Sequence, residues 1–333
     1  MTRPIASVSL DLDDLWTYQR THGDPEWERR GSYLPTLLPG ALDLLDEVGC
    51  RITFFIVGAD AAVPANGRWL RMISDRGHEV GNHSFHHECW LHRYTPEMLA
   101  RELATAEDAI GEATGQRTAG FRGPGFSWSP ALLEALADRG YQYDASTLPS
   151  YLGPLARAYF LATARLTPEQ RRERGQLFGG FTDGLRPAGA YQWRLASGRP
   201  LLEIPVTTIP GVKTPFHMSY LIYLSRFSGP LMRGYLRTAL ALCRAAGVSP
   251  SFLLHPLDLL GPDDAPQLAF FPGMDVPGER KRALVREVLR TLARQFTLVT
   301  MGSHASQALA QKRLAVRTPS ARPAAAPGLS LES

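Results

Sequence analysis

The chain has 333 residues, 44% of them hydrophobic, and a formal net charge of +4. That is enough apolar material for one large core or two modest ones, and α/β barrels of about 250 residues often form a single domain. The small charge, with arginines such as Arg171, Arg172 and Arg174 spread along polar helix faces, excludes a nucleic-acid footprint, so no nucleic-acid partner is expected.

Pro4 to Leu12 alternates small and β-branched residues and reads as a strand, with Asp11, Asp13 and Asp14 at its end. Alternate strand residues share a face, so Asp11 and Asp13 point the same way and Asp14 begins the loop beyond. Two adjacent carboxylates repel each other unless a cation or a proton sits between them. Leu37, Leu38, Leu42, Leu44, Leu45 and Val48 fall at helical spacing, and Gly49 stops the run. Arg51 to Gly58 is a nearly continuous apolar strand, as in a parallel sheet covered on both faces. Trp69 to Ser74 reads as helix, Glu79 to His83 as strand, and Pro96 to Ala113 as an amphipathic helix capped by Thr95. Thr118 to Phe121, Pro130 to Ala137 and Tyr141 to Ala145 continue as strand, helix and strand. This alternation predicts parallel β/α units, whose chemistry sits at the carboxyl ends of the strands.

The stretch from about 150 to 198 breaks the pattern and reads as an insertion or lid, with a helical piece after Pro168 and a glycine-rich loop from Gly179 to Gly184. Leu201 to Thr207 resumes as strand. Pro215 to Ala246 reads as one or two helices broken near Ser228-Gly229-Pro230, and Ser251 to Leu254 as a strand ending in His255-Pro256-Leu257-Asp258. A helix from Glu279 to Gln295, a strand from Phe296 to Met301 and a helix from Ser303 to Leu314 close the expected domain at about residue 315. Residues 316–333, with Pro and Ala repeats, are expected to be a disordered tail. Cys50, Cys89 and Cys243 are far apart, odd in number and without Cys-x-x-Cys spacing, which predicts free thiols in a reducing compartment. Met1 to Ser9 lacks the apolar core of a signal peptide, so a cytoplasmic location is expected.

Gly81-Asn82-His83-Ser84-Phe85-His86-His87 is the stretch around which this pattern is organised. His83 and His87 are four apart, which on one helical turn at a strand end would put both imidazoles on one face, able to hold a divalent metal with an oxygen ligand from elsewhere. A Gly-Phe-Arg-Gly-Pro-Gly turn around Arg122, a Tyr-Asp-Ala-Ser containing Asp144, and His255 also fall at expected strand ends.

In their order and spacing, the Asp-rich first strand, His-Ser-x-x-His, Arg-x-Pro, Asp-x-Ser and strand-end Leu-His resemble the polysaccharide deacetylase superfamily, carbohydrate esterase family 4, over about residues 5 to 260. The Asp-x-Asp form of the first motif looks like the branch that includes lipid-linked sugar deformylases and allantoinase-like enzymes. The resemblance implies a distorted (β/α)7 barrel and metal-dependent removal of an N-acetyl or N-acyl group from an amino sugar in a glycan or lipid-linked glycan precursor. It implies that Asp13, His83 and His87 hold the metal, zinc being expected. By the same resemblance Asp11 would be the general base, Arg122 would pair with and aim it, His255 would be the general acid, and Asp144 would orient His255. The backbone N–H of Gly125 would face the oxyanion, with Phe126 beside it at the sugar pocket, although the family usually has an aromatic residue where Gly125 stands. Asp13 and Asp14 could instead align as the adjacent base and ligand pair of the commoner motif. His78, His86, His92 and His217 are expected to be structural or at the surface.

Two other classes fit parts of the pattern. Val8 to Asp13 looks like the nucleophile strand of a haloacid-dehalogenase-type phosphatase, but Leu15 stands where that family wants Thr or Val, and the histidine pair gains no role. A catalytically inactive glycan-binding module would have no use for a matched acid and base. The apolar run from Phe216 to Leu224, flanked by Arg226, Arg233 and Arg237, reads first as a core helix and second as an interfacial helix, which would allow peripheral contact with the inner membrane.

Overall fold

The computed structural model describes residues 3–177, 179–311 and 314–319. Its strands in chain order are β1 (Ile5–Leu12), β2 (Thr53–Ile56), β3 (Glu79–Asn82), β4 (Gly120–Phe121), β5 (Tyr143–Asp144), β6 (Tyr191–Arg194), β7 (Pro200–Glu203), β8 (Ser251–Leu254), β9 (Thr297–Val299) and β10 (Ala315–Arg317). They form one sheet in the order β10-β6-β7-β5-β4-β3-β2-β1-β8, with β9 also paired to β1. Beyond β7 the chain stays extended, and the Thr207 N–H donates to the Ser251 carbonyl (3.0 Å) while the Ser251 N–H donates to Thr207 Oγ1 (2.8 Å). These two bonds bring the far end of the sheet round to β8, so that β1, β2, β3, β4, β5, β7 and β8 enclose a distorted seven-stranded barrel. The expected (β/α)7 architecture is therefore present.

β1 shows how the sequence builds both faces. Ala6, Val8, Leu10 and Leu12 are buried in the main apolar cluster, beside Leu34, Leu38 and Leu42 of the helix Leu34–Val48. Ser7, Ser9 and Asp11 alternate with them and turn to the other face, where polar partners wait. The helix Met301–Leu309 covers the amino-terminal end of the barrel. Its Met301 N–H donates to Thr53 Oγ1 and its Gly302 N–H to Glu79 Oε2, each at 2.8 Å, and His304 Nδ1 lies 2.8 Å from Ser7 Oγ. With that end closed, the carboxyl ends of the strands are left for the site.

Several expectations change. The helix expected from Ser303 to Leu314 stops at Leu309, and the segment expected to begin a tail instead forms β10, parallel to β6. The remainder of that expected tail, from residue 320, lies outside the described residues. The insertion carries the helices Gly153–Thr163 and Pro168–Glu173 and also β6, which pairs antiparallel with β7. The segment from Pro215 to Ala246 is two helices, Met218–Phe227 and Gly229–Ala245, broken at Ser228, where Pro230 fits the first turn of the second. The helix Leu15–His22 was not read from the sequence, because its apolar stripe is short.

Close packing under the site depends on a glycine. A Cβ on Gly81 of β3 would lie 2.5 Å from Phe55 Cδ1, and the Arg122 guanidinium stands 4.6 Å above the Phe55 ring. Gly81→Ala is thus expected to displace Phe55 and lower stability by about 1–3 kcal/mol, the usual cost of overpacking. A thermal melt of this variant matching the wild type would contradict that packing.

Candidate metal centre and active site

Asp11 occupies the last turn of the pleat in β1, and Asp13 and Asp14 follow it. Asp14 is a helix cap: its Oδ1 accepts from the Leu15 N–H (2.8 Å) and the Tyr33 N–H (3.0 Å). It is buried, and burial pushes its carboxyl up to about 6 against those bonds. The Asp13–Asp14 alignment is therefore not the one this backbone presents, since Asp14 is spent on the start of the helix Leu15–His22.

Asp13 turns the other way. Its Oδ1 lies 3.2 Å from His83 Nε2 and 2.9 Å from His87 Nε2, and one ligand atom from each of these three buried residues lies within 4.8 Å of the others. The histidines do not converge by helical spacing. His83 to His87 form a loop after β3, with Ser84 and His87 in the left-handed region (φ +63° and +53°). Side chains hold the loop: Asn82 Oδ1 accepts from the Ser84 N–H (2.8 Å), and Glu102 Oε1 accepts from the Phe85 and His86 N–H groups (2.9 and 2.7 Å).

The donor chemistry fits a cation. His83 Nδ1 is 2.6 Å from the Arg122 carbonyl, an acceptor only, so Nδ1 carries the proton and a neutral His83 points the lone pair of Nε2 at the Asp13 carboxylate. Two lone pairs facing each other at 3.2 Å require a positive charge between them, either a proton or a metal ion. Burial works to raise the Asp13 carboxyl, but the charge of His87 and the bonds from His83 and His87 outweigh it and hold the group well below the usual carboxylate range. For His83, burial works downward and the Asp13 bond prevails, raising the imidazole above its ordinary value.

Arg122, fully buried just past β4, joins this cluster to Asp11. Its Nη1 donates to Asp11 Oδ1 (2.8 Å) and Ser9 Oγ (3.0 Å), and its Nε to the Ala145 carbonyl (3.1 Å). The Asp11–Arg122 pair expected from the resemblance is thus formed.

His255 follows β8 and remains about a quarter exposed (24%). Its carboxylate neighbour is Asp258: Asp258 Oδ2 accepts the His255 backbone N–H (2.8 Å) and lies 4.0 Å from His255 Nδ1, while Ser219 Oγ donates to Asp258 Oδ1 (2.8 Å). Asp144 has its hydrogen bond elsewhere. It sits on β5 in register with Glu203 of β7, which stands between it and β8, and it accepts from Ser146 Oγ at 2.5 Å. Burial, then the nearby Asp144 charge, push the Glu203 carboxyl well above its usual range, and burial raises Asp144 as well.

Gly125 and Phe126 form a tight turn with φ of +59° and +58°. A Cβ on Gly125 would come within 3.2 Å of Cys89 Cβ, so this turn packs against the chain two residues past His87. Three neighbours of the site escaped the sequence reading. His217, expected to be structural or at the surface, lies with its ring centroid 6.3 Å from that of His255, and burial, then the His255 and Arg122 charges, lower it to about 3. Tyr18 is raised well above its ordinary value by burial and then by Asp13, Asp258 and Asp11. Asp258 had a signal, its place three residues after His255, whereas His217 and Tyr18 sit in apolar runs that gave none.

Residues 3–143 match the family model for polysaccharide deacetylase, in line with the resemblance of the motifs. Among curated proteins it is similar to a peptidoglycan deacetylase of Helicobacter pylori, 25% identical over 154 residues, 45% of this chain and 52% of that protein. A peptidoglycan-N-acetylglucosamine deacetylase of Bacillus cereus is 29% identical over 108 residues, 32% of this chain and 49% of that one. A peptidoglycan-N-acetylmuramic acid deacetylase of Bacillus subtilis is 32% identical over 105 residues, 31% of this chain and 39% of that one. The matched stretches span about half or less of the length of these relatives. Among solved structures, a protein assigned to the polysaccharide deacetylases from Mycobacterium smegmatis aligns over 98% of this chain and 99% of its own, with 19% identity and a TM-score of 0.59, and supports the fold.

Proposed function

We propose that the chain is a metal-dependent carbohydrate N-deacetylase, a hydrolase that removes an N-acetyl or N-acyl group from an amino sugar of a glycan, with zinc at Asp13, His83 and His87. The observation that carries this reading is the Asp13 carboxylate oxygen facing two imidazole Nε2 atoms at 3.2 and 2.9 Å. Two imidazoles and one carboxylate suit an open, catalytic zinc site. A divalent ion held there supplies Lewis acidity to an acyl oxygen. The relatives named as peptidoglycan deacetylases support an N-acetylated glycan as substrate.

In this reading Asp11 takes a proton from the attacking water, and Arg122 fixes the direction of its carboxylate through the 2.8 Å contact. His255, open to solvent on one side, protonates the departing amine, with Asp258 beside it. Buried His217 stays neutral near pH 7 and walls that side without competing for the proton. The N–H of Gly125 is assigned to the developing oxyanion and Phe126 to the sugar. A phosphatase would leave both imidazoles idle, and a binding module would leave the Asp11–Arg122 pair without purpose. Asp11→Asn and His255→Ala are each expected to lower turnover on an N-acetylated oligosaccharide by on the order of a hundredfold or more with metal still bound. Loss of metal in Asp11→Asn would instead make Asp11 a ligand and overturn its role as base.

The finer part of the proposal is a cytoplasmic enzyme that reaches a lipid-linked precursor at the inner membrane face. It is supported by Tyr223, Phe227 and Leu231, exposed around the bend between the helices Met218–Phe227 and Gly229–Ala245. Arg226 and Arg233 are paired with Asp275 (2.7 Å) and Glu287 (2.6 Å), so such contact would be more apolar than electrostatic. Among the described residues no helix is long and apolar enough to cross a membrane. Co-sedimentation with anionic vesicles is expected, and to weaken in Phe227→Ser. Absence of binding, with full activity on a soluble oligosaccharide, would make the substrate a free glycan.

A further inference from the structure

The two histidines of the cluster are aimed by different means. His83 has its ring fixed from behind, Nδ1 on the Arg122 carbonyl at 2.6 Å. His87 has no such support, for its Nδ1 is buried without a hydrogen-bond partner among the described residues. A ligating imidazole nearly always has its second nitrogen held, because that bond sets the direction of the ring. The direction of His87 therefore has to come from its backbone, which at φ +53° is in a region that a residue with a Cβ keeps only when its surroundings hold it there.

One side chain grips the chain on both sides of His87. Arg20 Nη1 donates to the His86 carbonyl (2.9 Å), and Arg20 Nη2 donates to Glu88 Oε1 (2.5 Å). The fork is itself held flat, since its carbon lies 5.0 Å from the centre of the Trp27 ring and 5.7 Å from that of Trp90. The other oxygen of Glu88 accepts from the Tyr94 hydroxyl, and the Arg20 carbonyl accepts from Arg174 Nη2 (2.9 Å) in the inserted segment. Arg20 belongs to the helix Leu15–His22, capped by Asp14 immediately after Asp13. A short rigid element thus leaves from one member of the cluster and seizes the loop of another.

We propose that Arg20 is a positioning residue for the metal centre, which by holding the His86 carbonyl and the Glu88 carboxylate aims the His87 imidazole at an ion shared with Asp13 and His83. The proposal rests on the metal reading of those three residues. A planar fork suits the task where an ammonium does not, because two acceptors on either side of one residue are engaged at once.

The test is titration of the metal-free protein with Zn2+ against a chromophoric chelator, with thermal unfolding of the metal-free form followed in parallel. Arg20→Ala is expected to bind zinc on the order of tenfold to a hundredfold more weakly, the usual effect of losing a residue that orients a ligand. Arg20→Lys, able to hold one acceptor, should fall between, as should Glu88→Ala, which removes one end of the grip and stands in if Arg20→Ala does not fold. Arg30→Ala is the control: Arg30 lies over the same aromatic cluster, 4.2 Å from the Trp16 ring centre and 5.8 Å from that of Trp27, without gripping the loop, and this variant should keep wild-type affinity. In a His87→Ala background, Arg20→Ala should weaken the residual binding no further, because its effect passes through His87. Unchanged affinity in Arg20→Ala, equal losses in Arg20→Ala and Arg30→Ala, or full additivity with His87→Ala would each overturn the proposal while leaving the metal site standing. Failure of the wild type to bind zinc would overturn the metal reading and this proposal with it.

Discussion

A buried carboxylate facing two imidazoles is the constraint on which the site depends. Removing an ionised carboxylate from water costs several kcal/mol unless positive charge and hydrogen bonds replace the lost hydration. Asp13 has two imidazole nitrogens for neighbours, and one of them, on His83, has a lone pair toward it when the ring is neutral. The fold thus maintains an arrangement that needs a proton or a metal ion between these groups. Arg122 couples this demand to the rest of the site. Its carbonyl sets the tautomer of His83, and its guanidinium reaches across the barrel to Asp11. One buried residue thereby orients a candidate ligand and a candidate base.

The barrel supplies rigidity by an uneven division of labour. Its amino-terminal end is sealed by the helix Met301–Leu309, and its interior face carries polar side chains that bind one another. The carboxyl ends are free to carry loops with left-handed residues at Ser84, His87 and Phe126. Such conformations persist where neighbouring side chains hold them. Glu102, Asn82, Ser84 and Arg20 do so around the histidine loop, and they come from three places in the chain.

Much of this was legible in the sequence. The period of β1 told Asp11 and Asp13 from Asp14, and strand and helix patterns up to Ala145 gave the parallel β/α order. The histidine pair was found for a partly wrong reason, since spacing of four suggested a helical turn and the chain makes a loop instead. The place of Asp258 beside His255 was not drawn from the sequence, and β6 was missed because its alternation runs over only four residues inside a stretch read as an insertion. His217 and Tyr18 reach the site through tertiary packing from segments that looked like core. The end of the chain differs for a similar reason, as β10 gains its order from pairing with β6 and not from its composition.

The account stands on a cation bound by Asp13, His83 and His87, and elemental analysis of the purified protein measures it directly. One divalent metal ion per chain, zinc foremost, is expected in the wild type, with that ion lost in His83→Ala and in His87→Ala while both variants still unfold cooperatively. Full metal content in both variants, or a metal-free wild type that takes up none when zinc is supplied, would contradict it.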